Sequence, residues 1–249
     1  MIKRPVEDRI PVGIASSVLA IENYNWKNTS QLARKLNVSI VQLHLNQFDS
    51  LSGLMQIQKK FSDVILHLPT KLNYNHPLIL NFNKSSSIPI LIQHDKYLDN
   101  KTIDFFIKNQ FTLGFENDRE RDIDAYLSRL SYLKSLGLKL KAVLDCPRYF
   151  HQFYKEAKPE IITDKILHIL NWCKHHNTEI IIHAIDVKSF NPDKSNWTQI
   201  LTGIIPWKHL LEIVINRAIP VRSIIFEYED IDMTEKSVYS LRQLFQQME

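Results

Sequence analysis

Eight short runs of apolar, largely β-branched residues constrain the fold of this chain more than any other feature. They read IPVGIAS (10–16), SIVQLHL (39–45), DVILHL (63–68), IPILIQH (88–94), FTLGFE (111–116), KLKAVLD (139–145), EIIIHA (179–184) and RSIIFE (222–227). Each is nearly continuous in hydrophobicity, which is the pattern of a strand buried on both faces of a parallel sheet. Polar segments with helical spacing lie between them. TSQLARKLN (29–37) follows a cap-like Asn-Thr-Ser cluster, and DIDAYLSRLSYLKSLG (122–137) runs to a glycine. TDKILHILNWCKHH (163–176) begins with Thr163-Asp164 and places basic groups in its last turn, where the helix dipole favours them. PWKHLLEIVINRA (206–218) and TEKSVYSLRQLFQQ (234–247) complete the helical set.

Eight strand–helix units in 249 residues match the size of an α/β (β/α)8 barrel. An open doubly wound sheet would need an early Gly-rich phosphate turn. VGIASS is not one, and five glycines in the whole chain argue against a dinucleotide or P-loop site. Neither a Ser/Gly-rich linker nor a repeat interrupts the pattern, so residues 1–249 read as one barrel domain.

A barrel places its chemistry at the C-terminal ends of the strands. The last polar residues of six consecutive runs are His67, His94, Glu116, Asp145, His183 and Glu227. Taken singly, each has a structural explanation. A histidine after an apolar strand is often bonded to backbone, Glu116 could belong to the cap of a helix near Asp118, and Asp145 precedes a proline turn. Glu227 opens an acidic run, EYEDID, of the kind that faces solvent. Jointly, carboxylates converging in a poorly solvated barrel mouth would repel, and a bound dication removes that cost. Such a hard, oxygen-rich set suits one divalent ion, Mn, Mg, Co or Fe, with Zn also accommodated.

The order of these motifs resembles the xylose isomerase-like TIM-barrel superfamily, which includes sugar isomerases, epimerases, dehydratases and apurinic-site endonucleases. The resemblance rests on GFEND, VLDCP, HAID and IIFEYED, taken in that order along the chain. It implies metal ligands at Glu116, Asp145, His183 and Glu227, with Glu116 and Glu227 also carrying protons. It places His67 in the substrate pocket, with His94 beside it, and gives Asp186 the role of orienting His183 or of contacting substrate. Arg148 stands where the family has the histidine of D-x-x-H, and His151 is the nearest alternative. Arg148, His151 and Lys188 are thus candidate substrate contacts. After the seventh strand, Asp193 is followed by Lys194 and Ser195, so the D-x-H of the nuclease branch is incomplete.

The implied activity is a divalent-metal-dependent isomerase or epimerase abstracting a proton next to a carbonyl on a small polyhydroxylated or keto substrate. A dehydratase or lyase would share that first step. The alternatives are an apurinic-site endonuclease-like phosphodiesterase, or a catalytically inactive barrel serving as a binding component of a biosynthetic pathway. Aromatics at 150–154 (FHQFY) would line a pocket for a delivered substrate or simply pack the start of a helix. The formal charge of +4 is mild and well mixed, so nucleic acid is permitted as a partner but not indicated. Two cysteines, a charged N-terminal segment without an apolar signal and no bilayer-length apolar stretch give the expectation of a cytoplasmic, non-membrane protein, free to form a homo-oligomer.

Overall fold

A computed structural model describes residues 10–45, 50–82, 88–117, 122–150, 158–191 and 193–248. Eight parallel strands close into a barrel: β1 (Val12–Ala15), β2 (Ile40–His44), β3 (Asp63–His67), β4 (Ile90–His94), β5 (Thr112–Glu116), β6 (Lys139–Asp145), β7 (Ile180–Ala184) and β8 (Val221–Phe226). Neighbours in sequence are neighbours in the sheet, and β8 pairs with β1 to complete the ring. All eight apolar runs of the sequence form these strands. A small antiparallel ribbon, Asp186–Val187 with Trp197–Thr198, sits beyond β7.

One main helix follows each strand: α1 (Trp26–Lys35), α2 (Leu51–Gln58), α3 (Pro77–Leu80), α4 (Asn100–Asn109), α5 (Ile123–Ser135), α6 (Pro159–His175), α7 (Trp207–Asn216) and α8 (Ile231–Gln247). Three of them begin earlier than the sequence suggests, for one shared reason. Thr29, Ser30, Thr163 and Thr234 look like caps but lie inside helices, returning their hydroxyls to the carbonyls four residues back: Asn25, Trp26, Pro159 and Asp230. The true caps are Asn25 for α1 and Asp230 for α8, each accepting a backbone N–H of the first turn. In α6 it is Pro159, with its fixed φ, that starts the helix. Helices α2, α3 and α4 carry short apolar patterns that did not stand out in the sequence.

Two apolar layers hold the structure. The larger one lies between strands and helices. The smaller one fills the barrel interior and consists of Ala15, Ile40, Ile65, Ile90, Ile92, Val143, Ile181 and Ile225. These side chains alternate along each strand with outward-facing ones such as Leu66, Leu91, Leu144 and Ile224, which belong to the outer layer. Gly114 has no room for a Cβ, which would fall 2.8 Å from Ile92 Cγ1 and 3.1 Å from Val143 Cγ2. The inner wall therefore closes into a dry plug rather than a pore.

Candidate metal centre

The plug determines where the polar cluster lies. Inward-facing positions recur every second residue, so the residue two beyond each plug residue also points inward, one layer nearer the mouth. Gln42 follows Ile40, His67 follows Ile65, His94 follows Ile92, Asp145 follows Val143, His183 follows Ile181 and Glu227 follows Ile225. Glu116 stands in the same relation to Gly114. Seven polar side chains thus meet above a hydrophobic floor.

Glu116 is the hub and is fully buried. Its Oε1 lies 3.1 Å from His183 Nδ1 and 3.0 Å from Arg148 Nη2. Its Oε2 lies 3.1 Å from His67 Nε2 and 3.2 Å from His94 Nδ1. His183 Nδ1 is also 3.0 Å from Glu227 Oε2, while its Nε2 lies 2.9 Å from Gln42 Oε1. The Gln42 amide donates in turn to Glu227 Oε1. Arg148 Nε donates to Asp145 Oδ2 at 2.6 Å, and its Nη1 donates to the Asn117 carbonyl at 2.6 Å and to His94 Nδ1 at 2.8 Å. Asn117 ties the ends of β5 and β6 together: its Oδ1 accepts from Asp145 N and its Nδ2 donates to the Asp145 carbonyl.

Electrostatics follow from this geometry. Burial alone would raise the pKa of Glu116, but the Arg148 guanidinium and His183 hold it well below the usual carboxylate range. Burial likewise opposes ionisation of Glu227, yet His183 holds it at about 2. Against the pull of burial, Glu227 and Glu116 push His183 up to about 10. Asp145 is raised by burial, with Arg148 offsetting part of the effect. His94 is pushed down to about 3 by burial and by the Arg148 charge, and the neutral ring accepts the guanidinium N–H. His44 falls to about 3 through burial and the neighbouring His67.

The donor set fits a divalent cation. One ligand atom each from Glu116, Asp145, His183 and Glu227 lies within 4.8 Å of the others. Gln42 accepts from the Nε2–H of a neutral His183, which leaves the Nδ1 lone pair facing two carboxylates. Like-charged oxygens on that lone pair require a cation between them, either a proton or a metal ion. Three carboxylates and the Arg148 guanidinium sum to −2, which a dication neutralises. His67, His94 and Glu116 form a second group of ligand spacing that shares the glutamate.

The structure thus brings Glu116, Asp145, His183, Glu227, His67, His94 and Arg148 together. Two other sequence candidates, Asp186 and Lys188, fall elsewhere. Asp186 does not orient His183. Its carboxylate accepts the backbone N–H groups of Val187, Gly203 and Ile205, clamping the loop after β7. Burial raises its pKa to about 6, against those N–H donors. A Cβ on Gly203 would fall 2.2 Å from Asp186 Oδ1, so the clamp needs glycine there. Lys188 is exposed, and its backbone pairs with Asn196 on the ribbon. His151 lies outside the described residues, as does Asp118. Phe150 is buried and stacks on Phe190, while residues 151–154 of the aromatic run lie outside the described residues. Glu229 and Asp230 of the acidic run pair with Lys194 and cap α8.

Gln42 and His44 are the residues that the sequence did not disclose. His44 receives the Ser16 hydroxyl on Nδ1 at 3.0 Å and stacks on His67 with centroids 4.8 Å apart. Both occupy inward positions on β2, so the two-residue offset from Ile40 was the available signal.

No family model and no curated protein matches the chain. Solved structures do. A D-tagatose 3-epimerase-like protein aligns over 95% of this chain and 97% of its own, with a TM-score of 0.62 and 14% identity. A xylose isomerase domain-containing protein from Salmonella typhimurium LT2 gives 0.63 over 98% and 97% at 9% identity. The probable 3-DHS dehydratase AsbF, involved in petrobactin synthesis in Bacillus anthracis, gives 0.58 over 93% and 98% at 10% identity. These likenesses show the fold, a closed (β/α)8 barrel over nearly the whole chain. Among the described residues, no helix is long and apolar enough to cross a membrane.

Proposed function

We infer that the chain is a divalent-metal-dependent enzyme of the sugar isomerase or epimerase kind, moving a proton next to a carbonyl on a small polyhydroxylated or keto substrate. The reading takes residues 1–249 as one barrel domain. The observation that carries it is His183 Nδ1 held between Glu116 Oε1 and Glu227 Oε2 while Gln42 fixes the far side of the ring. Glu116, Asp145, His183 and Glu227 would hold the ion. When bound, it supplies positive charge beside the carbonyl and hydroxyl oxygens and so lowers the cost of forming an enediolate.

The chain's own residues divide the remaining work. Glu227 is the most exposed of the three carboxylates, and it is the group placed to take a proton from a substrate entering the mouth. Glu116, in contact with His67 and His94 on one oxygen, is placed to exchange the proton on the opposite side. Arg148 holds Glu116 and Asp145 in register and presents a fixed positive charge to substrate oxygens. The likeness to epimerase-like and dehydratase structures supports the fold of such an enzyme, and the cluster supports the chemistry. A dehydratase begins with the same proton abstraction and belongs to the same reading.

Elemental mass spectrometry of protein purified without chelator tests the ion, beside a His183→Ala/Glu227→Ala double variant. One divalent ion per chain, absent from the variant, is expected. Proton NMR in D2O with a panel of ketoses tests the chemistry through loss of the C–H signal beside the carbonyl. No metal after dialysis against manganese, cobalt and zinc would sink the reading.

The second reading, a multi-metal phosphodiesterase of the endonuclease kind, draws on the group His67, His94 and Glu116. Arg148 weighs against it, because its guanidinium occupies His94 Nδ1 and places a permanent charge where a second dication would be repelled. Replacing it tests the point: Arg148→His is expected to raise metal content from one ion toward two.

A further inference from the structure

A cleft of about 1160 Å³ opens on the flank of the barrel between α1, α2 and the segment after β3. It exceeds the roughly 300–1,000 Å³ usual for small-molecule sites and is far larger than one free sugar needs. On α1, Lys27, Ser30, Gln31 and Arg34 line it, with Trp26 beside them. On the α2 side, Gly53, Gln56, Ile57 and Lys60 do so. Both sets have i, i+3, i+4, i+7 spacing, so α1 turns one whole stripe toward the cleft over about 10 Å, and α2 does so through Ile57, with Lys60 in the turn that follows it.

Such facing stripes usually carry apolar residues that pack. Here each ends in a cation, and Lys71 adds another from the segment after β3. Among the described residues no carboxylate lines the cleft, and Lys27, Arg34, Lys60 and Lys71 have no acidic partner. Elsewhere the surface pairs Lys35 with Glu235, Lys194 with Glu229 and Lys236 with Asp232. Four like charges around one cavity repel, and an anion removes that cost.

A series of side-chain contacts runs from the cleft to the candidate metal centre. Tyr24 lines it and sits at φ 58°, an uncommon conformation for a bulky residue. Its ring lies 4.8 Å from that of His44, which stacks on His67, which in turn contacts Glu116. A molecule with one end at the mouth could extend past Tyr24 into the cleft.

We propose that this cleft binds the phosphate-bearing tail of an extended substrate, with Lys27, Arg34, Lys60 and Lys71 neutralising the phosphates. The link to a reacting end rests on the proposed proton-transfer function; the anion binding does not. Lysine suits phosphate as a mobile point charge, and Asn25, Gln31, Gln56 and Asn73 supply neutral donors and acceptors for the rest of the ligand.

Calorimetric titration of the full chain with fructose 1,6-bisphosphate tests this. Saturable binding is expected, at least tenfold weaker with tricarballylate and at least tenfold weaker in a Lys27→Gln/Arg34→Gln/Lys60→Gln/Lys71→Gln variant, whose changes are all exposed. It should persist in His183→Ala/Glu227→Ala, which removes the metal centre and so separates this inference from the proposed function. Equal binding by tricarballylate, no effect of the four substitutions or loss of binding in the double variant would each overturn it. So would tighter, steeply salt-dependent binding of a 20-base-pair DNA duplex abolished by the same four changes, since the cleft would then serve nucleic acid.

Discussion

The two ends of the barrel carry charges on the same strands and use them in opposite ways. At the N-terminal end, Arg222 donates twice to Asp63 (2.9 and 2.7 Å) and lies 3.8 Å from Glu179, which pairs with Lys141 at 2.5 Å. Two cations meet two anions, and the side chains remain between 18% and 40% exposed. At the C-terminal end, β3, β6 and β8 contribute or lead into His67, Asp145 and Glu227, and the cluster is nearly dry. Solvent pays much of the cost of charge at the first end. At the second it cannot, so every carboxylate there is held by an imidazole, a guanidinium or an amide. A balanced, wet ion network is neutral by itself, whereas the dry one keeps an excess of carboxylates that a bound cation would offset.

The largest contrast should appear in activity. Glu227→Gln keeps the side chain's shape but removes the proton acceptor and one of its two hydrogen-bond-accepting oxygens, so turnover on a responsive ketose is expected to fall about 10²–10⁴-fold. Arg222→Gln should leave it unchanged. Equal losses from both variants, in a steady-state assay, would erase the distinction between the ends.

Next in size is the floor that separates them. Ile181→Ala opens a cavity directly beneath His183 and is expected to cost about 2–5 kcal/mol in chemical denaturation. A cost below about 1 kcal/mol would mean that the plug does not support the cluster.

The pH response sharpens the comparison further. In metal-free protein the pKa of His183 is raised from 6.5 to about 10, so its contribution to stability is complete below pH 6.5 and is lost as pH climbs through 10. The melting temperature should decline over that window, and His183→Gln should flatten the decline. Metal should flatten it too, by replacing the proton on the ring. An alkaline limb identical in parent and variant would contradict the proton's role.

The smallest effect belongs to the wet end. Arg222→Gln is expected to cost about 1 kcal/mol or less, shrinking in high salt, because the pair is partly solvated. A larger loss would show that this network is structural in its own right.

Much of this was legible in the chain. A β-strand buried on both faces can be read as a continuous apolar run, because neither side chain parity faces water. Eight such runs therefore gave the barrel and the inward polar residues at the ends of β3 to β8. Helix starts were less legible, since Thr29, Thr163 and Thr234 have the chemistry of a cap but return their hydroxyls to a helix already begun.

Local sequence determined the strands, the plug and the identity of the groups at the mouth, because those depend on hydrophobicity and a two-residue period. Only tertiary structure decided who meets whom. Gln42 reaches His183 across 141 residues because the ring closes, and no local pattern marks a glutamine on β2 as the partner of a histidine on β7. Asp186, three residues from His183, turns away to hold Gly203 and Ile205, since the ribbon beyond β7 reverses the chain there. Arg148 enters the cluster because the single turn of helix after β6, Cys146–Arg148, swings it back over Asp145. Proximity along the chain says little about proximity in a closed barrel, where strand register and loop direction set every distance.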